Sequence, residues 1–189
     1  MILSEGSHRF IFGMDLYYDK DTVVDVNAAS KNLAVKLTPN FGSLLLSPQL
    51  QVGVGSENEF MFEIDGNRTT DKQLRLPTGK HSVSIFHRCY ETASFNVSIK
   101  NGSELKFDHA LQPLLGGIEL KAVEKGMPKA VSVFINGIDA GKTPFLDAIP
   151  ICSKITVGDE RDIVTIEMKK NETVTYIHDL DVLVVKRFY

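Results

Sequence analysis

Tryptophan is absent from this chain, and phenylalanine and tyrosine raise the aromatic share to only 8%. Flat carbohydrate sites lean on exposed aromatic faces, so a sugar platform starts at a disadvantage. Basic excess is missing as well: 21 Lys and Arg stand against 24 Asp and Glu, for a formal net charge of −3. No segment clusters cations with interleaved aromatics, so no nucleic acid is expected as a partner. No stretch approaches the roughly 20 apolar residues that span a bilayer. The Met1-Ile2-Leu3 start lacks the basic region and apolar core of an export signal. Helical signals are nearly wanting; the best stretch, Glu119 to Lys125, follows Gly117 where a related part of the chain reads as strand.

What is present is alternation. Leu74 to Pro113 carries three runs with apolar residues in one phase: Val83 and Ile85, then Phe95, Val97 and Ile99, then Leu105, Phe107 and Leu111. That is the pattern of half-buried β-strands. Asn101-Gly102 lies between the second and third runs, and its tolerance of positive φ predicts an antiparallel hairpin joining them.

This stretch recurs. Leu3, Gly6, His8 and Tyr17 fall on Leu76, Gly79, His81 and Tyr90, each 73 positions on, and Pro39 falls on Pro113. Phe60, Phe62, Ile64 and Asp65-Gly66 recur 71 positions on as Val131, Val133, Ile135 and Asn136-Gly137. Gly42-Ser43-Leu44 is set against Gly117-Ile118-Glu119, Ile149-Pro150 against Leu76-Pro77, Met168 against Ile99, and Val174 to Leu180 against Leu105 to Leu111. Self-similarity at a fixed period is the signature of an array. The expected fold is all-β: tandem antiparallel β-sandwich modules, one partial and two complete. Residues 1–40 supply a half-module with strands near His8 to Phe12, Thr22 to Val26 and Leu33 to Leu37. Residues 41–113 and 114–181 are whole modules, and 182–189 is a tail strand. A module of this size has a marginal core, so its neighbours should contribute to its stability. Because residue 1 corresponds to the middle of a module, the chain reads as a piece of a longer protein whose export signal would lie upstream.

The residues resemble the PEGA-domain repeats of bacterial and archaeal surface-associated proteins. The likeness rests on Leu76-Pro77-Thr78-Gly79-Lys80-His81-Ser82-Val83, the step at Cys89-Tyr90, Val133-Phe134-Ile135-Asn136-Gly137 and Gly141-Lys142-Thr143-Pro144. The Pro-Glu-Gly-Ala tetrapeptide itself is not found: Ser47-Pro48 is followed by Gln49. The resemblance implies a small immunoglobulin-like or transthyretin-like sandwich per module. It also implies an extracytoplasmic place, in the periplasm or at the cell surface of a bacterium, and a protein or envelope component as partner.

Candidate chemistry gives way to structural readings. Gly137 to Thr143 echoes a phosphate-binding loop, but only three residues separate Gly137 from Gly141, and Pro144 follows where a helix would be needed; a hairpin turn explains it. Gly53-Val54-Gly55 is a weaker echo and reads, through Asn58, as a mobile loop. His8 and His81 are repeat-equivalent, and His109 and His178 share a place that Val35 fills in the first copy; only His87 stands outside the repeat. These read as packing histidines. No Gly-x-Ser-x-Gly elbow appears. Cys89 and Cys152 are not equivalent, which excludes a bridge repeated in each module. They read as buried thiols, with a bridge between the second and third modules as the alternative. The sequons at Asn67, Asn96, Asn101 and Asn171 would accept glycans in a eukaryotic secretory protein; Asn67 and Asn101 also suit turns. No catalytic, cofactor-binding or metal-binding residue is nominated, and no cofactor. The function expected is a non-enzymatic spacer or protein-interaction segment of an exported envelope protein. The alternative is a module binding carbohydrate or protein through loops such as Gly53 to Asn58.

Overall fold

The computed structural model describes residues 3–27, 32–158, 163–164 and 166–181; the expected tail strand at 182–189 lies outside them. Among the described residues there is no α-helix, only a short 3-10 turn at Glu57–Glu59. The protein is all-β. Its strands are β1 (Gly6–Phe12), β2 (Tyr17–Tyr18), β3 (Lys20–Val26), β4 (Thr38–Pro39), β5 (Phe41–Leu46), β6 (Met61–Ile64), β7 (Asn67–Thr69), β8 (Gln73–Pro77), β9 (Gly79–Phe86), β10 (Ala93–Ile99) and β11 (Glu104–Phe107). They continue with β12 (Leu115–Glu124), β13 (Met127–Pro128), β14 (Ser132–Ile135), β15 (Ile138–Lys142), β16 (Phe145–Pro150), β17 (Ile155–Val157), β18 (Ile163–Val164) and β19 (Thr173–Asp179). The chain divides into two compact units. One comprises Met1–Ser47, Phe62–Val83 and Ser94–Asp108, the other Pro48–Met61, Ser84–Ala93 and His109–Tyr189.

Two sheet orders occur twice. The sheet β11–β5–β8 pairs β5 antiparallel with β8, Phe41 opposite Pro77, and in parallel with β11, Ser43 opposite Glu104. In the same order β12 pairs antiparallel with β16, Leu115 opposite Pro150, and in parallel with β19, Gly117 opposite Thr173. The sheet β10–β9–β6–β7 is matched by β18–β17–β14–β15. These registers set Gly42 against Gly116, one residue away from the sequence alignment. In a strand such a slip exchanges the two faces, and the glycines show why the register holds. A Cβ on Gly42 would meet the Lys100 carbonyl oxygen at 2.6 Å, and one on Gly116 the Lys169 carbonyl oxygen at 2.9 Å.

Turn chemistry explains the hairpins that form and the one that does not. Asp65-Gly66 (φ 49° and 82°) joins β6 to β7, and Asn136-Gly137 (φ 52° and 79°) joins β14 to β15. Positive φ at both central residues is what a type I′ hairpin turn requires. At Asn101-Gly102 only the glycine has it, with φ 68°. The expected hairpin between the Phe95 and Leu105 runs is therefore not made. Gly102 N–H donates to the Phe41 carbonyl at 2.9 Å and Ser43 N–H to the Ser103 carbonyl at 2.8 Å, which hands the chain from β10 to β5 in a different sheet. Glu119 to Lys125, the best helical stretch in the sequence, is strand through Glu124, its side chains alternating between buried and more exposed.

The first forty residues are less complete. β1 and β3 pair antiparallel from Gly6 opposite Val26 to Phe12 opposite Lys20, and β2 pairs with β4. The strand expected at Leu33 to Leu37 is not formed: positions 32–37 carry no ladder. Its counterpart β11 is held by β5, and among the described residues of 1–40 no strand stands where β5 does. For the same reason Phe10 and Phe12 are only half-buried, whereas their counterparts Val83 and Ile85 are 1% and 0% exposed.

In the first unit the buried side chains include Leu44, Leu46, Phe62, Ile64, Val83 and Ile99. In the second, Ile118, Leu120, Val133, Ile149, Ile155, Val157 and Met168 form one cluster. Each such side chain contributes roughly 1.5–3 kcal/mol on burial.

Candidate functional site

The densest group of chemically capable side chains lies in the second unit, where the loop before β6 meets the turn after β9. His87 is fully buried. Its Nδ1 accepts the Cys89 N–H at 3.1 Å, which leaves Nε2 as the protonated nitrogen, donating to the Ser56 carbonyl at 2.9 Å. Phe60 and Tyr90 meet the imidazole edge-on, with ring centroids at 4.9 and 5.1 Å. Glu59 Oε1 takes Arg88 Nε at 3.0 Å, and Oε2 lies 3.5 Å from His87 Nε2. That Oε2 is buried and accepts no hydrogen bond.

Cys89 is bonded to Cys152, their Cα atoms 5.7 Å apart. This corrects the reading of both as buried free thiols. Cys89 is wholly buried and Cys152 half-buried. The cysteines sit at non-equivalent places because the bond runs from the closing turn after β9 to the corner after β16. Gly53 to Asn58, expected as a mobile loop, has one anchored residue. Val54 is 1% exposed, and its carbonyl accepts the Tyr90 hydroxyl at 3.0 Å. The same hydroxyl accepts Gln51 N–H at 2.8 Å, and burial raises the Tyr90 pKa against that bond. The buried phenol thus anchors the loop at Val54, while Gly53 and Gly55 to Asn58 are exposed.

The other sequence candidates fall where local structure explains them. Gly137 to Thr143 is the turn and return strand of the β14–β15 hairpin. His81 lies with Nδ1 2.6 Å from Asp65 Oδ2 and Nε2 2.9 Å from the Pro77 carbonyl, and Asp65 Oδ1 caps Ser82 N–H at 2.8 Å. Asn136 makes the matching cap on Lys154 N–H, also at 2.8 Å. His178 is buried on β19, whereas His109 is exposed. Asn67, Asn96, Asn101 and Asn171 are all exposed. Glu59 was not legible as a site residue; no spacing in the sequence ties it to His87.

Two grooves in the second unit offer surface. One, of about 600 Å³, has Ile151, Val164, Ile166 and Met168 as apolar walls, with Cys152 and the cations Arg88, Lys154 and Lys169 at its edge. The other, about 460 Å³, is lined by Val123, Pro128, Ala130, Pro144 and Ile177, with Lys121 and Lys129 beside them.

No family model matches the chain, and no curated protein matches it. Among solved structures, the Bacillus anthracis TIE protein is similar at 17% identity and a TM-score of 0.44, over 92% of this chain and 41% of that one. A streptococcal ancillary pilin is similar at 10% identity and a TM-score of 0.33, over 93% of this chain and 76% of that one. The chain thus spans less than half the length of the first of these proteins.

Proposed function

We propose that the chain is a non-enzymatic structural segment of an exported cell-surface protein, built from PEGA-like sandwich modules at 1–40, 41–113 and 114–181. The observation that carries this reading is the recurrence of one set of backbone bonds. Gly102 N–H to Phe41, Ser43 N–H to Ser103 and Ser103 N–H to Lys100 are repeated as Asn171 to Leu115, Gly117 to Glu172 and Glu172 to Lys169, within 0.1 Å. What recurs is frame, and the polar side chains that recur with it, Asp65 and Asn136, cap the frame. The disulfide supports an oxidising compartment, and the bacterial envelope follows from the family resemblance.

The groove at Pro128, Pro144 and Ile177 favours a second reading, contact with apolar side chains of a protein partner. No aromatic ring lines it, which weighs against a sugar. A glycan array combined with a pull-down from envelope extract tests both. The spacer reading expects no saturable capture. Reproducible glycan capture, or capture of one protein that is lost in Ile177→Asp, replaces it with the binding reading.

A further inference from the structure

His87 is the one histidine that the repeat leaves aside, and it stands among three other metal-ligating groups. Donor atoms of Glu59, His87 and Cys89 all lie within 4.8 Å of one another, and Cys152 Sγ is 2.04 Å from Cys89 Sγ. The buried, unpartnered Oε2 of Glu59 is a second and independent sign, since a desolvated carboxylate oxygen without a donor is destabilising as it stands. We propose that Glu59, His87, Cys89 and Cys152 are a latent site for a soft divalent cation of the zinc class, closed while the disulfide stands and opened by thiol reduction.

Two thiolates, an imidazole and a carboxylate are a donor set that tetrahedral zinc accepts. Bonds of about 2.0–2.3 Å place the four ligand atoms of a tetrahedron roughly 3.3–3.8 Å apart. The sulfurs must move apart, which breaking their bond allows, and the donors of Glu59, His87 and Cys89, up to 4.8 Å apart, must close by about 1–1.5 Å through side-chain rotation. His87 is already held for the task. Its Nε2–H stays on the Ser56 carbonyl, the partner type that orients most ligating histidines, and Nδ1 exchanges the Cys89 amide for the metal. Gly55 makes room for the ring: a Cβ there would meet His87 Cε1 at 2.5 Å.

The groove of about 600 Å³ gives a reductant its access, because Cys152 lines it together with Arg88, Lys154 and Lys169. An incoming thiolate of a dithiol attacks Cys152 Sγ, the disulfide breaks, and Cys89 leaves as a thiolate beside His87. The second thiol of the reductant, losing its proton to solvent, then displaces Cys152. Two electrons have passed to the chain, the reductant has become a disulfide, and both cysteine sulfurs are free. The cation binds the thiolates, and any proton still on sulfur is released.

The test uses the full chain, oxidised or reduced with a dithiol and desalted under nitrogen. Each form is titrated with Co²⁺ and then Zn²⁺, reading thiolate-to-cobalt charge transfer and metal per chain. The expected result is one metal per reduced chain and none per oxidised chain, with Zn²⁺ affinity at least tenfold lower in Glu59→Gln. His87→Gln should lower it similarly; if that variant fails to fold, Cys152→Ser, which frees Cys89 without reductant, should bind Co²⁺ through one thiolate. The proposal is overturned if the reduced chain binds no metal, if both forms bind alike, if Glu59→Gln binds as tightly as the parent, or if reduction abolishes the β-sheet circular dichroism.

Discussion

His8 and His81 hold the same bond 73 positions apart: Nε2 of each lies on the carbonyl four residues earlier, Ser4 at 2.8 Å and Pro77 at 2.9 Å. Two residues before each stands a glycine with positive φ, 128° at Gly6 and 142° at Gly79, which turns the chain into the strand. His81 differs in having Asp65 on its other nitrogen. Both partners of His81 are acceptors, so the doubly protonated ring satisfies both, and the neutral ring can satisfy only one.

That difference gives a pH dependence. Burial opposes charge on His81, but the bonds to Asp65 and Pro77 outweigh it and raise its pKa above 6.5. The His81 bond, then the Ser82 amide, lower Asp65 below 3.8. A raised folded pKa gives stability that is full below 6.5 and fades as the pH climbs through the folded value; a lowered one gives stability that fades as the pH falls below 3.8. Thermal unfolding followed by circular dichroism should therefore show the pair's contribution greatest between those limits. His81→Gln and Asp65→Asn should both flatten the alkaline decline. His8→Gln should leave it in place.

Gly42→Ala should cost about 1–3 kcal/mol, because its Cβ would press on the Lys100 and Ser103 carbonyl oxygens at 2.6 and 2.8 Å, backbone atoms that cannot swing aside. Gly102→Ala meets nothing within 4 Å and strains only a φ of 68°, for about 1–2 kcal/mol. Urea midpoints at unchanged slope measure both.

Neighbouring residues on opposite faces of one β-ladder should respond very differently. Leu120, 0% exposed and opposite Phe145, should lose about 2–5 kcal/mol on change to Ala. Leu146, opposite Glu119 and 73% exposed, should change by less than about 0.5 kcal/mol. Comparable losses at the two positions would mean that the register is wrong.

Strands and true hairpins were legible because each rests on local chemistry: alternation for β9 and β10, paired positive-φ residues at Asp65-Gly66 and Asn136-Gly137. Asn101-Gly102 misled because the dipeptide permits a primed turn without imposing one, and β5 competed for the same amides. Leu33 to Leu37 has the composition of a strand but no ladder partner. The Cys89–Cys152 bond stood only as the alternative, because comparing equivalent positions can rule out a bridge within each copy but cannot choose between two buried thiols and a bridge between different corners. Gly53 to Asn58 looked mobile by its glycines, yet Val54 and Tyr90 pin it, and no periodicity announces a single buried valine in a loop.

Tyr90 supplies a direct test of that pinning. Its hydroxyl donates to the Val54 carbonyl at 3.0 Å and accepts the Gln51 amide at 2.8 Å, so Tyr90→Phe leaves two backbone groups without their partner while keeping the ring against His87. An orphaned buried group costs about 1–3 kcal/mol. That cost should appear first as local opening, because Val54 N–H is held by the Gln51 carbonyl inside the same loop. Hydrogen exchange at Gln51 and Val54 should accelerate by at least tenfold in Tyr90→Phe, with exchange in β12 and β16 unchanged. Equal acceleration in β12 would mean that the phenol supports the unit as a whole, and no acceleration at Val54 would mean that the loop is held by the burial of Val54 alone.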